Sequence, residues 1–156
     1  MKSAPLAQAI MTRNPLVLPA ALDVDEAARV LQSRKIQSVP VLNEEGRVVG
    51  LFTQHTCVRA LTESIYEGVP AGRVGDHMES VTFIDEDTPL LGVAEIFATR
   101  GHANGCLPVL SRGELVGVVS RIDVIRGIRE HVRASTHEEV HALYISALRQ
   151  AADAGF

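Results

Sequence analysis

Two hydrophobic rhythms run along this chain, one of period two and one of helical spacing, and their order occurs twice. Residues 6–12 have helical spacing that Asn14-Pro15 breaks, and residues 16–18 make a short apolar strand stopped by Pro19. Asp23, with Glu26 three positions later, opens a helix striped by Val24, Ala27, Ala28, Val30 and Leu31 that ends near Lys35. Residues 38–42 read as a strand, 43–46 as a hairpin turn and 48–52 as the partner strand. A second helix is expected over 54–65, with Val58, Leu61 and Ile65 inward.

Residues 67–72 are a linker by composition, and beyond it the order returns. A short turn spans 74–78 and a strand 81–84, and Thr88 caps a helix with Pro89 at its first position. That helix carries Leu90, Val93, Ala94, Ile96 and Phe97 and stops at Gly101. Strands 106–110 and 115–119 flank a turn at 111–113, and Ser120 opens a helix that runs to about Arg133. Landmarks keep a nearly constant offset: Met11 to Met78 is 67, Leu31 to Phe97 is 66, Pro40 to Pro108 is 68 and Gly50 to Gly117 is 67. Such an offset across helix, strand and hairpin signals an internal duplication. Each half, of roughly 55 residues, is too small to bury much core alone, so the halves must pack together. Three segments result: repeat 1 over 6–66, repeat 2 over 73–133 and a terminal helix over 135–153. In the last, Ser135 or Thr136 is the cap and Val140, Leu143, Tyr144, Ala147, Leu148 and Ala151 form one apolar stripe.

Composition narrows the partners. The chain has 156 residues, 46% hydrophobic and 22% charged, and a net charge of −4. That balance argues against nucleic acid or an anionic membrane as partner, and no apolar run reaches membrane-spanning length. The arginines between Arg121 and Arg133 alternate with apolar residues at helical spacing, which is a solvated helix face. Cys57 and Cys106 sit in apolar surroundings and read as buried free thiols, which fits a cytoplasmic protein.

The candidate chemistry lies at the two junctions where a glycine-containing strand meets a helix. In Gly117-Val118-Val119-Ser120-Arg121-Ile122-Asp123 a hydroxyl residue opens the helix and a carboxylate follows three positions later. The helix N-terminus offers unpaired N–H groups and a positive dipole end to an anion, and Asp123 can accept hydrogen bonds from two ribose hydroxyls. The earlier copy, Gly50-Leu51-Phe52-Thr53-Gln54-His55-Thr56, has Thr56 in place of the carboxylate. Ser120-x-x-Asp123 also satisfies the capping-box pattern, as do Asp23-x-x-Glu26 and Ser135-x-x-Glu138, so its spacing alone does not distinguish a cap from a site.

The ordered set, appearing twice, resembles a tandem pair of CBS domains, or Bateman module. It is carried by Ile10-Met11-Thr12 and Met78, by Val39-Pro40-Val41 and Leu107-Pro108-Val109, and by the two junctions. The resemblance implies an α/β (α+β) fold of two β-α-β-β-α repeats packed sheet to sheet with pseudo-twofold symmetry, plus the C-terminal helix. It also implies a non-catalytic regulatory module that binds AMP, ADP, ATP or a related adenosyl compound in clefts between the repeats, with no other cofactor. Carried over by position, Ser120, Arg121 and Asp123 are the ligand-binding set, with Val81, Thr82, Phe83 and Pro108 lining the base slot. Thr53, His55, Thr56 and Pro40 belong to a second cleft, expected to be weaker for want of a carboxylate. His102 is a further polar residue within reach of a phosphate. A homodimer is implied, with the C-terminal helix at or near its interface, and the output passes through an effector protein in another chain. The alternative of a different class is a ligand-free dimerisation scaffold. A remote third is a zinc hydrolase through His137-Glu138-Glu139-Val140-His141, which matches H-E-x-x-H but has no histidine after His141 to complete a catalytic site.

Overall fold

The computed structural model describes residues 3–99, 105–135 and 137–155, without the side chains of His137, Glu138 and Val140. The expected position of His102, the helix stop at Gly101 and the cap at Thr136 lie outside the described residues. Repeat 1 comprises helix α1 (Ala7–Ile10), strands β1 (Thr12–Arg13) and β2 (Leu18–Pro19), α2 (Val24–Arg34), the hairpin β3 (Ser38–Leu42) and β4 (Val48–Thr53), and α3 (Gln54–Glu67). Repeat 2 follows with α4 (Val74–His77), β5 (Ile84–Asp85), α5 (Leu90–Thr99), β6 (Cys106–Ser111), β7 (Glu114–Ser120) and α6 (Arg121–Ala134). Helix α7 (His137–Asp153) ends the chain. No helix among the described residues is long and apolar enough to cross a membrane.

There are two sheets, ordered β2-β3-β4 and β1-β7-β6-β5, and they approach each other through β3 and β6. The opening segment of each repeat folds onto the other repeat. Thr12 and Arg13 pair antiparallel with Val118 and Gly117 of β7, while Glu79 forms the matching bridge to Leu51 of β4. Ala7 N–H donates to the Thr88 carbonyl at 2.7 Å and Gln8 N–H to that of Glu86 at 3.0 Å. Their counterparts Val74 and Gly75 donate to Leu22 and Ala20, both at 2.8 Å. The hydrophobic cores follow the exchange. Ala7, Ile10 and Met11 are buried with Leu90, Val93, Val109 and Val124, and Val74 is buried with Leu18, Val24, Val39 and Phe52. Neither repeat therefore completes its core from its own segment.

The glycine landmarks have a steric cause. A Cβ on Gly117 would stand 2.7 Å from Met11 Sδ and 2.8 Å from the Thr12 carbonyl oxygen. On Gly50 it would stand 2.8 Å from Met78 Sδ and 2.8 Å from the Glu79 carbonyl oxygen. Each glycine admits the other repeat's methionine segment, which is why Met11, Gly50, Met78 and Gly117 recur at one offset.

Three local expectations are corrected. Helix α3 buries Thr56, Cys57 and Ala60, with Leu61 partly covered, whereas Val58 and Ile65 are 65% and 81% exposed. The Thr53 cap sets the phase of the helix, and the face that meets α2 is one step round from the most apolar one. The strands expected at 16–18 and 81–84 shrink to β2 and β5, which pair in parallel with β3 and β6 only through two residues each. The Asp23 side chain makes no capping bond, and the Thr88 hydroxyl accepts from the Asp85 N–H at 3.1 Å.

Candidate functional site

Each cleft is built where one repeat's strand-to-helix junction meets the other repeat's opening segment. Ser120 and Asp123 form a reciprocal capping box at the start of α6. The Ser120 N–H donates to Asp123 Oδ2 at 2.9 Å and the Asp123 N–H to Ser120 Oγ at 3.4 Å. Asp123 is 5% exposed, and its Oδ1 accepts from Arg126 at 2.7 Å, with the same guanidinium nitrogen 3.3 Å from the Ile10 carbonyl. The carboxylate is thus held in place with its charge compensated, and its second oxygen also accepts the Ser120 hydroxyl at 3.0 Å. A carboxylate has about four acceptor positions, so one remains for a ligand hydroxyl even before the Ser120 hydroxyl turns away.

The cavity at this junction is about 490 Å³. Its walls are Thr12, Asn14, Pro15 and Leu16 on one side, and Gln37, Val39 and Pro40 on another. Cys106, Ser120, Arg121 and Asp123 complete it, with Lys35 at the rim. Of the four residues expected as base slot, none lies here. Pro108 is buried in β6 opposite Val118, Val81 and Thr82 are half-buried short of β5, and Phe83 lines a cavity by the hairpin turns with Gly46, Arg47 and Arg112. The exchange of opening segments explains the difference, because it brings residues 12–16 of repeat 1, and not 79–83 of repeat 2, to Asp123. Pro40, assigned to the weaker cleft, sits in this one.

The second cavity, about 660 Å³, is lined by Thr53, Gln54 and His55 from the α3 junction and by Glu79 from repeat 2. Gln37, Gly105 and Arg121 line both cavities, so the two adjoin. Thr53 Oγ1 accepts from the Thr56 N–H at 3.0 Å and lies 2.9 Å from Thr56 Oγ1. Both hydroxyls face Glu79: Thr56 Oγ1 donates to Oε1 at 2.8 Å and Thr53 Oγ1 at 3.5 Å. Arg121 lies over the Phe97 ring, 5.5 Å from its centroid, which stations this cation between the cavities.

Lys35, Glu79, Cys106 and Arg126 were not foreseen. Glu79 had one signal in the sequence: it stands 67 residues after Thr12, as Asp123 stands 67 after Thr56. Burial pushes the Cys106 thiol up from its ordinary value, a hydrogen bond with Ser38 acts in the opposite sense, and the Asp123 carboxylate adds to the rise. His141 lies on α7 with the backbone of His137, and the described residues contain no group of three or more histidine, cysteine, aspartate or glutamate side chains able to hold a metal.

Comparison with known proteins accords with this architecture. The CBS domain model matches residues 7–63 and 74–130, and the chain belongs to that family as a tandem pair. Uncharacterized protein MJ1225 of Methanocaldococcus jannaschii is 29% identical over 118 residues, covering 75% of this chain and 40% of that protein. This chain therefore spans less than half of that relative. Among solved structures, the CBS domain pair of protein MJ0100, in complex with 5-methylthioadenosine and S-adenosyl-L-methionine, superposes with a TM-score of 0.70 at 23% identity. That match covers 82% of this chain and 98% of the other. CBSX2 of Arabidopsis thaliana, in complex with AMP, gives 0.69 at 22% identity, covering 81% and 97%. These two similarities establish the fold.

Proposed function

We propose that the chain is a non-catalytic sensor that binds an adenine nucleotide or adenosyl ligand between its repeats. The observation that carries this reading is the cleft at Asp123. A buried carboxylate, a helix N-terminus, two cations and an apolar wall of Pro15, Leu16, Val39 and Pro40 meet around one cavity. Each matches one part of a nucleotide: Asp123 the ribose hydroxyls, the N-terminus of α6 and Arg121 with Lys35 the phosphate, the apolar wall the base. The adenosyl ligands of MJ0100 and the AMP of CBSX2 support the same class. Because Thr12–Leu16 come from one repeat and Ser120–Asp123 from the other, occupancy would favour one relative packing of the halves. A partner chain reads that packing, and the module works in the cytoplasm as a homodimer.

A thermal-shift panel of AMP, ADP, ATP, NAD and S-adenosylmethionine tests the reading. A preferred ligand at 100 times its Kd should stabilise the fold by about 2.7 kcal/mol. Asp123→Ala should remove that stabilisation, and no shift with any of the five would favour a ligand-free scaffold.

A further inference from the structure

Among the described residues, the non-glycine positions with a positive φ are Asn14 at 50°, Lys35 at 53° and Arg112 at 51°. Arg112 shares a hairpin turn with Gly113, but Asn14 and Lys35 both line the Asp123 cavity. Asn14 is the more demanding of these two, because it precedes Pro15. A proline ring pushes the residue before it toward extended backbone, so a left-handed residue there costs free energy and persists only where its surroundings impose it.

The crossing between the sheets does not by itself impose it. Thr12 and Arg13 pair with β7 and Leu18 with β3, so residues 14–17 carry the chain from one sheet to the other. Repeat 2 makes the equivalent passage from Glu79, bridged to Leu51, to Ile84 beside β6. There Val81, 67 residues after Asn14, is not left-handed. Nor does the turn use the carboxamide. Asparagine suits turns because its side chain bonds back to nearby main chain, as Asn43 Oδ1 does in accepting from the Arg47 N–H at 2.9 Å. The Asn14 side chain makes no hydrogen bond with another described residue. It is exposed at the edge of the cavity, directly before the apolar wall of Pro15 and Leu16.

A free carboxamide offers an acceptor oxygen beside donor N–H groups. Adenine presents the converse pair on one edge, its donor 6-amino group beside the acceptor N7, whereas a 6-oxopurine presents two acceptors there. We propose that Asn14 is a specificity-determining residue of the Asp123 cleft, held in left-handed backbone so that its carboxamide reads the amino and N7 edge of adenine. The inference rests on the nucleotide reading of that cleft and adds the choice of base. Apolar contact with Pro15, Leu16, Val39 and Pro40 would accept any purine.

Calorimetric titration of the full chain with AMP, IMP and 7-deaza-AMP tests the assignment at the Asp123 site. That site is identified by its loss in Asp123→Ala or, where that chain does not fold, by protection of Cys106, which lines it, from iodoacetamide. IMP replaces the amino group by an oxygen, and 7-deaza-AMP replaces N7 by a carbon. The wild type should bind both of these at least about tenfold more weakly than AMP. Asn14→Gly keeps the left-handed backbone without the carboxamide. It should raise the melting temperature of the unliganded chain, weaken AMP about tenfold and bring the three ligands to similar affinity. Asn14→Asp keeps the acceptor and loses the donor, so it should still reject IMP yet bind 7-deaza-AMP as well as AMP. A purely structural Asn14 would shift the three affinities together. That result, unequal affinities that survive Asn14→Gly, or a wild type that does not distinguish the three would overturn the inference while AMP binding at Asp123 stands. A wild type that binds none of them removes the nucleotide reading itself, and the inference with it.

Discussion

At the scale of single residues, the Asp123 site is held by an ion pair with unequal burial. The Arg126 side chain is 52% exposed and that of Asp123 only 7%. Removing the arginine leaves a nearly buried carboxylate with its two capping-box donors but no cation. Arg126→Ala should therefore destabilise the fold by about 1–2 kcal/mol, less than for a fully buried pair because solvent screens the guanidinium. Chemical denaturation checks it, and Arg126→Lys should recover only part, since the lysine side chain is one bond too short to carry its ammonium to the position of the nitrogen that contacts both Asp123 and Ile10. Cys106 gives a second residue-level expectation. Its pKa is raised in the folded chain by burial, so the unfolded chain releases the thiol proton first as pH rises. The stability contributed by the protonated thiol is complete below the ordinary thiol value of 9.0 and is lost as pH climbs past it. Melting temperatures measured from pH 7 to 10 should fall at the alkaline end, and Cys106→Ser should flatten that fall. Alkylation by iodoacetamide at pH 7.5 should be slow, and adenine nucleotide should slow it further, because this thiol lines the Asp123 cleft.

At the scale of elements, the exchanged opening segments are the joint between repeats, and Gly117 is their tightest point. Gly117→Ala sets a Cβ 2.7 Å from Met11 Sδ and 2.8 Å from a backbone oxygen that has little room to retreat. The expected cost is about 1–3 kcal/mol, typical of overpacking, with nucleotide affinity falling as well because β1 leads into Asn14–Leu16 of the cleft. Both effects are read from one ligand-dependent melting series, and the smaller Met11→Ala side chain should relieve part of the clash. This joint also marks how far the sequence could be read. The helices, the hairpins and the duplication were legible because period and turn chemistry are local and recur at a fixed offset. The pairing of β1 with β7 and of Glu79 with Leu51 was not, because a two-residue strand carries no periodicity to name its partner. That one gap separates the expected base slot from the Asp123 cavity: Val81, Thr82, Phe83 and Pro108 hold the expected positions within repeat 2, and none of them lines that cavity. That Ser120, Arg121 and Asp123 share one junction and one cavity was legible because a capping pattern is local in the sequence. Glu79 was hidden because its contribution lies across the fold from the threonines it faces.

At the scale of the whole molecule, the helices that open at the two clefts present apolar surface outward at equivalent positions. On α3, Val58 and Ile65 are 65% and 81% exposed, and 67 residues later on α6, Ile125 and Val132 are 51% and 44% exposed. Ile122 at 66% and Tyr66 at 85% extend the same two faces. Residues scattered singly in this way need no explanation, but a set repeated by the internal symmetry on both helices is a candidate interface. Helix α7, expected at or near that interface, lines a cavity with α5 through Ala147, Gln150 and Ala151 against Leu91, Ala94 and Ala98, and keeps Tyr144 and Leu148 exposed. The homodimer proposed for the chain is therefore expected to form through α3 and α6, with α7 off to one side. Since both helices begin at the clefts, a dimer joined there would feel any ligand-driven change in how the halves pack, and a partner chain would read it as a change in dimer geometry. Light scattering at micromolar concentration should give twice the chain mass of 16.8 kDa. Ile65→Glu with Ile125→Glu should yield monomers that still bind nucleotide at Asp123, since neither side chain lines that cleft. Truncation before α7 should leave the dimer intact. A dimer that survives the paired charges but dissociates on truncation would put the interface on the terminal helix instead.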